Sequence, residues 1–131
     1  MIQFRNSEEV FAIKGLSQAV EIPLGNQKMI MLSGQIPLDK QGELVGNDVK
    51  TQTIQIFENI KSILNTCHAS LNDIVKLSIF TSDISQIAGY REARDQFITS
   101  VNPPLSTLVE VKGLFRSDVL IEIEVIAITG T

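Results

Sequence analysis

Residues 47–80 read NDVKTQTIQIFENIKSILNTCHASLNDIVKLSIF, and the change of period inside that stretch decides the fold. Val49, Thr53, Ile56, Phe57, Ile60, Ile63, Leu64 and Cys67 recur at spacings of three and four, which gives a helix one apolar face. Gln52, Gln55, Glu58, Asn59 and Ser62 fall on the opposite side. Asn47 or Asp48 can cap this helix, and an acidic first turn suits the positive end of its dipole. The helix ends near His68. Ile74–Phe80 is then β-branched and apolar, as a strand with one buried face is. A one-sided helix followed at once by such a strand predicts a helix lying on a sheet.

The flanking sequence extends that sheet. Upstream, Gln18–Ile22 and Lys28–Ser33 are strand-like, and Leu24-Gly25-Asn26-Gln27 between them reads as a hairpin turn. A polar loop with Pro37, Gly42 and Gly46 follows from Gly34 to Gly46. Downstream, a second helix is expected from Asp83 or Ser85 to about Ser100, where Asn102-Pro103-Pro104 stops it. Leu105–Val111 and Val119–Thr129 are strands, separated by a turn over Gly113 to Asp118. In the last strand Ile121, Ile123, Val125 and Ala127 share one face, and Leu120, Glu122, Glu124, Ile126 and Ile128 share the other. The expected order is β-β-α-β-α-β-β, an α+β arrangement with two helices packed on one face of a mixed sheet. The opposite sheet face is partly apolar and would be bare in a monomer, so an oligomer is expected.

Composition sets the outer limits. The 131 residues suit one domain spanning 1–131, and 44% hydrophobic with 20% charged residues is ordinary globular usage. A formal net charge of −4 and a pI near 4.9 argue against broad nucleic-acid or anionic-membrane binding. With no Trp and 5% aromatics, a base-stacking platform is not expected either. A lone cysteine, Cys67, forms no internal bridge and fits a reducing compartment. No signal-peptide or membrane-spanning run is apparent, so a cytoplasmic protein is expected. Clustered metal ligands, P-loops and GxGxxG motifs are absent, so no metal or nucleotide cofactor is expected.

Several segments taken in order resemble one family. Ser17-Gln18-Ala19-Val20, Ser33-Gly34-Gln35-Ile36-Pro37, Glu58-Asn59-Ile60, Asp73-Ile74-Val75-Lys76, Val109-Glu110-Val111 and Ile121–Ala127 match the reactive-intermediate deaminase (RidA/YjgF, also L-PSP) family along nearly the whole chain. The resemblance implies a chorismate-mutase-like fold and a homotrimer with small-molecule clefts between subunits. It also implies cofactor-free hydrolysis of imines or enamines to a carbonyl compound and ammonia. A non-catalytic trimer that binds a small metabolite such as an oxo acid is the alternative. An endoribonuclease is a further one, which the acidic charge disfavours.

The resemblance also places a site. Active relatives carry an arginine where this chain has Ser106, and a tyrosine where it has Leu16. A guanidinium grips a carboxylate with two charge-assisted hydrogen bonds, and losing one such partner costs roughly 1.5–3 kcal/mol, or about 10- to 150-fold in binding. An altered substrate range is therefore expected. Glu122 matches the family glutamate that handles water and is the expected catalytic residue; the other reading is an interface carboxylate. Ser33, Ser106 and Thr107 offer hydroxyls to a ligand, and Ser33 could equally just end its strand. Arg91 stands where relatives often place a pocket asparagine. A stripe of Ile84, Ile87, Arg91, Arg94, Ile98 and Val101 would point it inward as an anion-binding group. A stripe through Tyr90 and Phe97 would turn it outward, where it would snorkel or pair with neighbouring acids. His68 reads as a helix-end residue and Cys67 as a buried small hydrophobe.

Overall fold

The computed structural model describes residues 1–130. Strands β1 (Gln3–Arg5), β2 (Ala19–Leu24) and β3 (Gln27–Gln35) precede helix α1 (Val49–Thr66). Strand β4 (Ile74–Thr81), helix α2 (Ile87–Arg94), and strands β5 (Leu105–Glu110) and β6 (Ile121–Gly130) follow. The strands form one six-stranded sheet in the order β1-β2-β3-β6-β4-β5. Every neighbouring pair is antiparallel except β4 and β5, which run parallel through the α2 crossover.

Three expectations need correcting. A short edge strand, β1, precedes the hairpin, so the order is β-β-β-α-β-α-β-β. It is too short to carry a period, and it is held by Arg5, whose guanidinium pairs with Glu21 across the sheet. The second helix stops at Arg94 rather than Ser100, after a 3-10 turn at Ile84–Gln86. Its last turns loosen because Phe97 leaves the helix to stack on Phe57, with ring centroids 5.3 Å apart. The first turn of α1 holds no acid; the single carboxylate there is the cap, Asp48, which accepts a hydrogen bond from Thr51 N at 2.8 Å.

The apolar face of α1 is as the spacing predicts. Ile56, Phe57, Ile60, Ile63, Leu64 and Cys67 are completely buried against Ile30, Leu77, Ile121, Ile123 and Ala127 of the sheet. Two residues assigned to its solvent side are also buried. The Gln52 amide accepts from Leu120 N at 2.8 Å and donates to Asp118 O at 2.8 Å and Gly46 O at 3.1 Å. Asn59 donates to Leu38 O at 2.9 Å and Ile36 O at 3.3 Å. These amides satisfy backbone groups of loops that cross α1, a demand no hydrophobic period can report. The helix closes on His68 at φ 58°, with Ala69 N donating to Leu64 O and His68 N to Asn65 O. That is a Schellman ending with histidine at the position glycine favours.

Both helices cover the same face of the sheet. The other face carries Phe4, Val20, Ile22, Met29, Met31, Ile126, Ile128 and Val109, and no helix lies on it. Phe4 is 68% exposed and Val109 42%. Among the described residues no helix is long and apolar enough to cross a membrane.

Candidate functional site

The register of the sheet decides which polar side chains can meet. Glu122 on β6 pairs with Phe80, and Phe80 with Val109, so Glu122 projects from the face without helices. Ser106 on β5 pairs with Leu77, which is buried under the helices, so Ser106 projects to the opposite face. Thr107, the next residue, points back to the Glu122 side, in a row with Ser78 and Glu124. Ser106 and Thr107 thus serve different faces, and Ser106 and Glu122 of one chain cannot share a ligand.

Glu122 occupies a made place. Strand β3 slips register between Leu32 and Gln35, and Gly34 falls in that irregularity. A Cβ at Gly34 would stand 2.8 Å from Glu122 Cδ, and the carboxylate oxygen Oε2 would be nearer still. The missing side chain is what lets the carboxylate lie over the backbone there. Burial pushes the Glu122 carboxyl above the ordinary carboxylate range, and the neighbouring Glu124 charge raises it further. Such a carboxylate keeps proton affinity, as a general base needs.

Ser33 is committed elsewhere: its hydroxyl donates to Ser17 O at 3.0 Å, and its amide donates to Gln18 O at 3.0 Å. The adjoining crevice, lined by Leu16, Ser17, Gln18, Ser33 and Gln35, encloses about 30 Å³, about enough for a water. Leu16 is exposed.

Helix α2 resolves the two stripes in favour of the second. It buries Tyr90 and Ala93, while Arg91 is exposed and Ile84 and Val101 face solvent. Ser106 instead meets the end of α2. A cavity of about 300 Å³ opens there between Leu77, Arg94, Asp95, Ile98, Pro104 and Ser106. Arg94 lies over the Tyr90 ring at 5.8 Å and donates from Nε to Asp95 Oδ1 at 3.0 Å, with a terminal nitrogen 2.9 Å from the same oxygen. The Tyr90 hydroxyl is wholly buried and makes no well-formed hydrogen bond among the described residues. Burial raises its pKa, against the opposing pull of the Arg94 charge and of the Ser106 hydroxyl beside it. Tyr90 and Arg94 went unassigned as site residues in the sequence. Their i, i+4 spacing was the available signal, once Tyr90 is taken as the inward residue. Cys67 is buried, and burial pushes its thiol pKa up, so it is no nucleophile.

The family model described as Endoribonuclease L-PSP matches residues 7–129. The chain belongs to the RidA/YjgF (endoribonuclease L-PSP) family. It is 42% identical over 112 residues to a RutC family protein of Pyrococcus abyssi, covering 85% of this chain and 84% of that protein. It is 38% identical over 102 residues to the 2-iminobutanoate/2-iminopropanoate deaminase of Salmonella typhimurium, covering 76% and 79%. Among solved structures, RidA from an Antarctic Psychrobacter superposes with a TM-score of 0.84 at 32% identity, covering 95% of this chain and 98% of the other.

Proposed function

We propose that this family member is a cytoplasmic homotrimer of single-domain chains that hydrolyses small imines or enamines to a carbonyl compound and ammonia, with an altered substrate range. Water adds to the C=N carbon as Glu122 takes a proton from it. The nitrogen, protonated in turn, leaves as ammonia, and the carbonyl forms. The pairing supporting this reading is Glu122 on one sheet face and Ser106 on the other. Neither reaches the other within a chain; the proposed trimer would bury the bare sheet face and set Glu122 of one copy beside the Ser106 cavity of the next. The exposed apolar residues on that face support such an assembly. Thr107, on the Glu122 side, would orient the ligand at the rim, and Ser33 would hold the backbone under Glu122, while Arg91, turned to solvent on α2, is left without the anion-binding role its inward stripe would have given it.

The hydroxyl at position 106 favours a second reading, a trimer that binds a small metabolite without turning it over, since a hydroxyl gives weaker electrostatic grip on a carboxylate than arginine. Ammonia release from freshly generated 2-iminobutanoate separates the two. The deaminase reading predicts release above the spontaneous rate that Glu122→Gln abolishes. Release at the spontaneous rate, unchanged by Glu122→Gln, refutes it. Light scattering that shows only monomer at micromolar concentration would refute the shared cleft.

A further inference from the structure

We propose that Arg94, reaching in from α2, is the carboxylate-binding group of the Ser106 cavity, and that the cavity takes a small 2-oxo or 2-imino carboxylate. This deepens the proposed function and rests on its reading of that cavity as the ligand site.

Three observations converge. First, Arg94 and Ser106 line the same 300 Å³ space, at the low end of the size that small-molecule sites occupy. Second, the guanidinium is held without being used up. The Tyr90 ring lies under it at 5.8 Å, and the bonds to Asp95 all converge on one oxygen, Oδ1. An arginine has five N–H donors, so a fork remains for a second carboxylate. Third, the Tyr90 hydroxyl is fully buried, lacks a well-formed hydrogen bond, and abuts Ser106. A buried hydroxyl needs a partner, and this one is closed off from the cavity, so a small rotation of Ser106 rather than the ligand supplies it. If Tyr90 donates to Ser106 Oγ, the Ser106 proton is free to turn into the cavity. Tyr90 is then a positioning residue, while Arg94 and Ser106 contact the ligand. Among the described residues Asp95 is the one opposing charge lining the cavity, and it competes with a ligand carboxylate for Arg94.

Tyr90, which lies beneath Arg94 at the edge of the cavity, is the chain's single tyrosine and there is no tryptophan, so intrinsic emission reports on the surroundings of Arg94. The full chain is titrated with 2-oxobutanoate and, separately, with butanone, which lacks the carboxylate; isotopically labelled tyrosine gives the same titration by NMR. Saturable change is expected with 2-oxobutanoate and none with butanone. Arg94→Gln is expected to weaken binding about 10- to 150-fold. Asp95→Asn is expected to tighten it, and Lys40→Gln, an equal charge change at an exposed site, to leave it unaltered. Equal affinity in the Arg94→Gln protein, equal response to butanone, or no saturable change by either readout overturns the proposal. Ammonia release from 2-iminobutanoate is followed on the same samples. Arg94-dependent binding without turnover removes the deaminase reading and keeps this one. Turnover indifferent to Arg94→Gln does the reverse.

Discussion

Replacing Gly34 with alanine separates fold from chemistry at Glu122. The backbone at Gly34 is not left-handed, so an alanine can adopt it. The new Cβ would stand 2.8 Å from Glu122 Cδ, well inside van der Waals contact. Only the end of a flexible side chain is in the way, so the carboxylate retreats by about 1 Å while the sheet stays in place. The stability change is expected to stay within about 1 kcal/mol, because the entropy gained by removing a glycine offsets part of the crowding. The rate should respond far more, since a displacement of about 1 Å in a catalytic group costs on the order of 100-fold. Ammonia release with 2-iminobutanoate gives kcat/KM, and thermal melting gives stability. In a Glu122→Gln background the same change should cost nothing further, because both act through one group. A kcat/KM for Gly34→Ala within about twofold of the parent would refute the idea that Gly34 exists to seat Glu122.

Other outcomes follow from the same geometry. The buried Glu122 must be ionised to act as base, so activity should climb as pH rises through a pKa above the usual carboxylate range, as a pH–rate profile would show. The stability sign is opposite. A raised folded pKa favours the fold below the unfolded value, and that contribution is lost as pH rises through the raised pKa, so Glu122→Gln should lose activity yet melt higher at neutral pH. Gln52→Ala strips partners from Leu120 N, Asp118 O and Gly46 O, and should cost about 3–5 kcal/mol by urea unfolding. His68→Gly relieves a left-handed residue at the end of α1 and should stabilise by about 0.5–1 kcal/mol in the same assay.

Period and turn chemistry made most of the architecture legible. The α1 stripe, the β2–β3 hairpin around Gly25 at φ 63° and the two-faced β6 are all local patterns, and each appears where its spacing puts it. What stayed hidden depends on distant partners. Gln52 and Asn59 look like solvent-facing amides until the loops they hold are folded across them. The stripe of α2 was ambiguous because both faces carry apolar residues, and the stacking of Phe97 on Phe57 settles it. The site suffered most. Aligned motifs singled out Ser106 and Glu122 as candidates, but only strand register shows that they face opposite ways, and only tertiary packing brings Arg94 to the cavity beside Ser106.

The central claim is that a working site takes Glu122 from one copy and the Ser106 cavity, with Arg94, from another. Mixing two impaired proteins, Glu122→Gln and Arg94→Gln, through joint unfolding and refolding, and assaying at substrate too dilute to saturate Arg94→Gln, tests it most directly. In a random mixture about one cleft in four inherits both intact residues, so ammonia release should recover to about a quarter of the parent rate. A mixture no more active than its two components would contradict the account.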